Sequence, residues 1–367
     1  KNAPRSSKRH LLTVAVEDYF QIGSFNRLIQ RGEWERFESR LERNTRRALD
    51  LLDAHNQQAT FFVLGWVGDH MPELVAEIAA RGHEIASKGY FHRSIRAMTQ
   101  GEFREDLSRA REALQRASGQ RIVGYRVADG WFGPEDLWAL DVLAAEGYDY
   151  DSSVGPVGNR FAAEPWRRFT HTHQAADRVI WEFPISAVEH FGWMVPIAGG
   201  NWFRQLPPAL IRRAVARWHR TYTAPYVMYF HVWELDPDLP KIGATSWLER
   251  VRAYRNLTEM PDRVGYFLEH YRFSSIADHL GLATRLSTAQ RAALPPAPLR
   301  EPSPTGAVGV GTSTAPPAKE LVAVSVIIPC YNEEHSLPYL ANTLRSVQSV
   351  IADRFDLDFI FVDDCST

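Results

Sequence analysis

Lys88 and His92 stand four residues apart in GHEIASKGYFHR (82–93), just after an apolar segment that reads as a buried strand. Two histidines at this spacing, with an acidic partner from elsewhere, are a common way to hold a divalent cation. Here the first position carries an ammonium. A protonated lysine has three donors and no lone pair, so it cannot ligate a metal. The chemistry open to this chain depends on how that lysine is read.

Three further groups of reactive side chains follow apolar runs. Glu17 and Asp18 are adjacent in AVEDYFQ, Arg126 stands in GYRVADGWF, and His231 in YFHVWELDP. Neighbouring carboxylates at the end of a buried strand are costly unless a cation or a metal compensates them; otherwise they belong to a solvated turn. His92 and His231, each taken singly, read equally well as hydrogen-bonded core or rim histidines. The His171-Thr172-His173 run looks like a metal pair but has no acidic neighbour in the sequence, and reads as surface.

The elements that must position these groups alternate. LLTVAV (11–16), ATFFVLG (59–65), HEIAS (83–87), RIVGYR (121–126), VIWEFPIS (179–186) and YVMYFHVWE (226–234) have the apolar, β-branched character of buried strands. Between them, residues 43–55 and 71–81 have helical spacing. Thr99 and Glu102 form a capping box opening a helix that runs to Ser118, and Pro134 and Gly147 mark the start and stop of another. This alternation predicts a parallel sheet or barrel with its site at the C-terminal ends of the strands.

Composition narrows the classes. Among 367 residues, 42 basic and 44 acidic side chains leave a net charge of -2, with no long basic run to meet a phosphate backbone, so a dedicated nucleic-acid binder is excluded. The two cysteines, Cys330 and Cys365, lie near the C-terminus, which excludes a disulfide framework for the main domain and fits a reducing compartment. No apolar run is long enough to span a membrane. The N-terminal KNAPRSSKRH is basic, has no signal-peptide core and no initiator Met, and reads as part of something longer. Residues 1–285 read as one barrel domain, and 286–322, rich in Pro, Ala, Gly, Ser and Thr, as a linker. VSVIIPCYNEE and FIFVDDCST, within 323–367, outline one β–α–β unit, too little for a core and so read as the first part of a second domain.

In order along residues 10–282, TVAVEDYFQ (13–21), ATFFVLGWV (59–67), GHEIASKGYFHR (82–93), GYRVADGWF (124–132), GYDYDSS (147–153), GGNWFRQLP (199–207) and YFHVWELDPDLP (229–240) resemble the polysaccharide deacetylase (NodB-homology) family. The similarity is greatest to the branch whose first motif reads TVDVEDYFQ. It implies an α/β fold, a distorted (β/α)7-type barrel. The tail resembles the start of a family 2 glycosyltransferase, without that family's later metal-binding and catalytic motifs. For the barrel the resemblance implies a divalent metal, zinc or similar, on one Asp and two His. The metal activates a water, with a nearby carboxylate as base and a late-strand His as acid. Carried over, Glu17, Arg126 and His231 take the catalytic positions as base, base-orienting Arg and acid, and Asp18 and His92 the metal positions. Lys88 occupies the other ligand position. A second assignment stays open, in which Glu17 is the ligand and the base belongs at position 15.

Four residues depart from the family pattern inside its active-site motifs: Ala15 for Asp, Lys88 for His, and Ala128 and Val232 for Pro. The Lys88 ammonium would fill the cation's space and neutralise Glu17 or Asp18, giving weak or absent metal binding. The expectation is a carbohydrate N-deacetylase-type hydrolase domain for N-acetylated sugars of a polysaccharide or its lipid-linked precursor. The rival is an impaired pseudoenzyme that binds glycan for the attached transferase, and a third reading uses Lys88 as a base or Schiff-base amine. Trp131, Trp202 and Trp233, with Trp193, are candidate sugar-stacking residues, against an equal expectation that they are core. Nucleotide-sugar use by the attached domain implies the cytosol, at the inner face of a membrane, and a biosynthetic intermediate as substrate.

Overall fold

The structure is a computed structural model that describes residues 8–21, 29, 34, 37–176, 178–242, 247–294, 322–330, 348 and 355–363. Among these residues, nine strands form one curled sheet. Their order is β10 (Val227–His231), β1 (Arg9–Val16), β2 (Thr60–Val63), β3 (Glu84–Ser87), β4 (Gly124–Tyr125), β5 (Tyr150–Asp151), β7 (Val179–Glu182) and β6 (His171–Gln174). The ninth strand, β11 (Arg272–Ser274), pairs with the first half of β1 while β2 takes the second half. Every pairing is parallel except β6 with β7. The sheet is the distorted (β/α)7-type barrel of the resemblance, curled as a half-barrel rather than a closed ring. Residues 197–200 run beside β10, where Tyr229 N–H donates to Ala198 O at 2.8 Å and Ile197 N–H donates to Ser186 O at 2.9 Å.

The crossovers follow the sequence closely. Helix α1 spans Leu41–Ala54, α2 Gly65–His70, α3 Pro72–Ala80, α4 Gln100–Ser118 and α5 Trp138–Ala145. The Thr99/Glu102 capping box and the left-handed Gly119 bound α4 as the sequence predicts. Strand β4 is shorter than the RIVGYR run, because its neighbours pair with it only through Gly124 and Tyr125. A hairpin, β8 (Ala187–His190) with β9 (Trp193–Pro196), follows β7 and has no counterpart in the sequence reading.

Alternation along the strands sorts the side chains. Leu11, Phe62, Ala86, Val123, Tyr150, Phe183 and Val227, roughly one per strand, meet inside the curl with Ile276 and Ala277 below them. In β1 this sets positions 11, 13 and 15 inward and Leu12, Val14 and Val16 toward the helical layer. All six are buried, as strands covered on both faces require. The base of the interior is polar but satisfied. Buried Glu84 accepts hydrogen bonds from Thr60 Oγ1 (2.6 Å), Tyr150 Oη (2.7 Å) and Ala277 N (2.9 Å).

The second compact unit, whose described strands are β12 (Val322–Cys330) and β13 (Phe355–Asp363), pairs them in parallel over nine residues. A short helix, Thr288–Ala292, occupies part of the segment read as linker. Residues 295–321 of that segment, and Cys365, lie outside the described residues. Among the described residues no helix is long and apolar enough to cross a membrane.

Tyr150 reaches Glu84 only because its ring passes over Gly124, where a Cβ would fall 1.9 Å from Tyr150 Cζ. Gly124→Ala is expected to destabilise the barrel by about 3 kcal/mol. Urea unfolding checks this; an unchanged midpoint would mean that the ring is free to move aside.

Candidate active site

The C-terminal ends of the parallel strands converge on a cavity of about 260 Å³. Register brings its members together: Ala15 of β1 is paired with His231 of β10, and Ser87, the residue before Lys88, with Tyr125, the residue before Arg126. Ala15, Glu17, Lys88, His92, Arg126, Trp131, His231 and Trp233 all line the cavity.

At its centre the Lys88 amine contacts Glu17 Oε1, with both side chains only 4% exposed. Lys88 Nζ also donates to Ala128 O at 2.7 Å and reaches Val127 O at 3.4 Å. Three acceptors around one nitrogen match the three N–H bonds of an ammonium. Burial pulls the Lys88 amine below its ordinary range while Glu17 opposes the fall. Burial would likewise raise Glu17, but Lys88, with His92 and His231, overrides it and holds that carboxyl well below the usual carboxylate range. His92 Nε2 lies 3.3 Å from the same Glu17 Oε1, and His231 Nε2 lies 3.9 Å from Oε2.

His231 is held from behind. Glu234 Oε2 accepts the His231 backbone N–H at 2.9 Å and lies 3.2 Å from Nδ1. Burial would raise Glu234, but Arg204, donating to Oε1 at 2.8 Å, and His231 bring it down to about 2. An ionised Glu234 only accepts, so Nδ1 carries the hydrogen and Nε2 faces the cavity, able to take or give a proton. Arg204 is fully buried and spends its other donors on the carbonyls of Arg252, Ala253 and Arg255.

Among the described residues, Arg126 makes its hydrogen bonds to Thr13 Oγ1 (2.8 Å), Ser152 O (2.9 Å) and Ser152 Oγ (2.7 Å), with its guanidinium over the Phe62 ring. Burial lowers it to about 10. A base-orienting arginine would need a carboxylate beside it; the position that alternation turns toward it, 15, is alanine. Below it lie Asp151 and Glu182, partners in the β5–β7 register and both fully buried. Burial raises both, Glu182 further because Asp151 faces it.

Asp18 is turned away from the cavity. Its Oδ1 accepts from Tyr19 N at 2.9 Å and Oδ2 from Arg40 N at 3.0 Å, at the entry to α1. This departs from the assignment of Asp18 as a metal ligand with Glu17 as base. Glu17 continues the inward parity of positions 13 and 15, and Asp18 takes the opposite one. Trp202, at the start of a short helix (Asn201–Gln205), is not part of the cavity wall, whereas Trp131 and Trp233 are. The His171-Thr172-His173 run forms edge strand β6, and it does have an acidic neighbour: His173 Nε2 lies 3.0 Å from Asp141 Oδ1 of α5. Glu234, Arg204, the Asp151–Glu182 pair and Asp129, which also lines the cavity, were not anticipated. A carboxylate three residues after a candidate acid histidine was the readable signal for Glu234.

The family's divalent metal does not fit the donors present. Of the three positions, one is an ammonium already resting on the carboxylate that would bind the ion, which leaves one carboxylate and one imidazole.

A curled parallel sheet with a polar, aromatic-walled pocket at its strand ends is the architecture of a (β/α)7-type barrel. This chain carries a polysaccharide deacetylase domain of the NodB type: residues 35–149 match the polysaccharide deacetylase family, 152–281 a domain of unknown function (DUF3473), and 325–367 glycosyl transferase family 2. Lys88, His92, Arg126 and Trp131 fall in the first match and His231 and Trp233 in the second, while Ala15 and Glu17 precede both. A peptidoglycan-N-acetylglucosamine deacetylase of Bacillus cereus is 36% identical over 130 residues, covering 32% of this chain and 47% of that protein. A chitooligosaccharide deacetylase of Bradyrhizobium is 32% identical over 96 residues, covering 26% and 42%. The chain thus spans about half the length of the curated relatives it matches. Among solved structures, a Mycobacterium smegmatis protein assigned to the polysaccharide deacetylases superposes with a TM-score of 0.49 at 20% identity, covering 78% of this chain and 98% of that one.

The ion pair makes a specific energetic prediction. Lys88→Met and Glu17→Gln should each cost about 3 kcal/mol, and the double substitution little more than either alone. A double-mutant cycle by denaturant unfolding checks this, and additive losses would contradict it. Because Glu17 is depressed in the fold, its contribution is present above its ordinary value of 4.5 and is lost as pH falls through its folded value. The stability gap between the native chain and Glu17→Gln should therefore narrow as the solution is acidified below 4.5.

Proposed function

We propose that the barrel is a carbohydrate N-deacetylase-type domain that binds N-acetylated sugars of a polysaccharide or its lipid-linked precursor, with its hydrolytic power curtailed in the native chain. The deacetylase relatives support the substrate class, as do Trp131 and Trp233 in the cavity wall, the latter stacked on the His231 imidazole. The observation that carries the second half is the contact between the Lys88 amine and Glu17 Oε1, at the position where the family places its cation. A bound metal would supply Lewis-acid polarisation and an activated water. Lys88 supplies a fixed positive charge, and Ala15 leaves the base position empty of a carboxylate. His231 keeps the geometry of a proton donor to an amine, so what the pocket retains is recognition and one half of the proton chemistry.

Its attachment to a glycosyltransferase-like segment supports a role in polymer biosynthesis, at the cytosolic face of a membrane, where the barrel holds or presents the glycan. The Schiff-base reading is not favoured, because the nitrogen of Lys88 is committed to three oxygen acceptors.

Acetate release from N-acetylglucosamine oligomers, measured with and without added zinc, tests this. Against the double reversion Ala15→Asp with Lys88→His, the native chain is expected to be about a thousandfold slower, the equivalent of the missing several kcal/mol. It should nevertheless bind the oligomers with comparable affinity. Equal, zinc-dependent turnover in both proteins would overturn the proposal. Trp233→Ala is expected to weaken oligomer binding by about tenfold, checked by calorimetry.

A further inference from the structure

The helix Pro208–Thr221 (PALIRRAVARWHRT) carries four arginines and a histidine and no acidic residue. Ile211, Val215 and Trp218 bury one face of it against the barrel. On the opposite face Leu210, Arg213, Arg217 and Arg220 follow one another at steps of three, four and three, and all four are exposed. They therefore form a single outward ridge. Like charges at those steps repel and destabilise a helix. Among the described residues, none of these three guanidiniums forms a hydrogen bond or an ion pair. On α1, by contrast, Arg43 and Arg47 are paired with Asp236, and Arg46 with Glu42 and Glu77. The ridge is a row of positive charge left without a counter-charge among those residues.

One short connection links this helix to the β8–β9 hairpin. The Phe169 ring lies 5.5 Å from Trp218 and 5.0 Å from Tyr222 at the end of the helix, and its neighbour Arg168 lies 3.6 Å from Glu189 of β8. At the hairpin tip Phe191 is 91% exposed, and Trp193 beyond it 60% exposed. Both turn residues have positive φ, 49° at Phe191 and 78° at Gly192. Asn, Asp or Gly suits the first of these positions; a phenylalanine there is strained as well as exposed.

We infer that the arginine ridge and the neighbouring hairpin tip dock the barrel on an anionic lipid bilayer. The guanidiniums meet lipid phosphates, and the two aromatics enter the headgroup layer. Leu210, 55% exposed within the ridge, and the apolar tip favour lipid over the phosphate backbone of a nucleic acid. A second copy of the chain would set the same charges against themselves. This assigns a surface to the membrane-side role proposed above and rests on that reading, not on the chemistry of the pocket, so vesicle binding and acetate release can fail separately.

Sedimentation of the full chain with phosphatidylcholine vesicles, with and without phosphatidylglycerol, tests this. Binding is expected on the anionic vesicles and should weaken as salt is raised. Arg213→Gln with Arg217→Gln and Arg220→Gln should lower it roughly a hundredfold. The same three positions changed to lysine should retain most of it, which also separates lost charge from lost folding. Phe191→Ala with Trp193→Ala should lower it about tenfold. Equal binding to neutral and anionic vesicles, no sedimentation with either, or undiminished binding of the glutamine or alanine variant would overturn the proposal. So would tighter binding to a DNA duplex than to the vesicles, or self-association that the glutamine variant abolishes.

Discussion

The ion pair between Lys88 and Glu17 is the constraint around which the end of this barrel is arranged. Several charged side chains are buried where the parallel strands converge, and low-dielectric burial is tolerated only if each charge is matched. Lys88 matches Glu17, and Arg204 matches Glu234. Arg126 faces Asp151 and Glu182, whose ionisation burial opposes and whose charge Arg126 offsets. A divalent cation placed at Glu17 would add two positive charges where the negative one is already spoken for, which is a stronger objection to metal than the loss of one imidazole by itself.

The pocket is assembled from both halves of the barrel. The part matching the deacetylase family supplies the ammonium, one imidazole, Arg126 and Trp131; the following part, whose family has no assigned function, supplies the other imidazole, its Glu234–Arg204 support and Trp233. The last strand of the second half returns to the first: β10 lies against β1 in a register that sets His231 opposite Ala15. The second half is therefore not an appendage. It completes the sheet.

Most of the scaffold was legible in the sequence because local rules decide it. The capping box at Thr99 and Glu102 bounds α4, and the apolar runs ending in Val16, Val63 and Ser87 are strands in the order expected. The choice between Glu17 and Asp18 as the inward carboxylate was also present in the sequence, in the two-residue alternation of Leu11, Thr13 and Ala15, although family resemblance left both assignments open. What the sequence could not reveal depends on pairing across the sheet. The Asp151–Glu182 pair exists only because β5 meets β7 in that register, and Asp141 reaches His173 only because α5 packs beside the edge strand. Nor does composition separate Trp233 in the wall from Trp202 outside it, since the difference is one of side-chain direction at the end of β10 and in the helix beside it.

Charge balance also explains why the alanine and the lysine belong together. Position 15 shares the inward parity of Glu17, so an aspartate there would add a second buried carboxylate beside the one that Lys88 neutralises. The buried cations that line the cavity with position 15 are Lys88, which already rests on Glu17, and Arg126, which already faces Asp151 and Glu182. With a histidine at 88 instead, Glu17 would lose its counter-charge, and only an added cation could keep two carboxylates ionised in so enclosed a space. Each substitution alone leaves an unmatched buried charge; together they exchange a carboxylate and a metal's positive charge for a single internal salt bridge. The two residues are best regarded as one change, from a pocket that borrows its cation to a pocket that contains it.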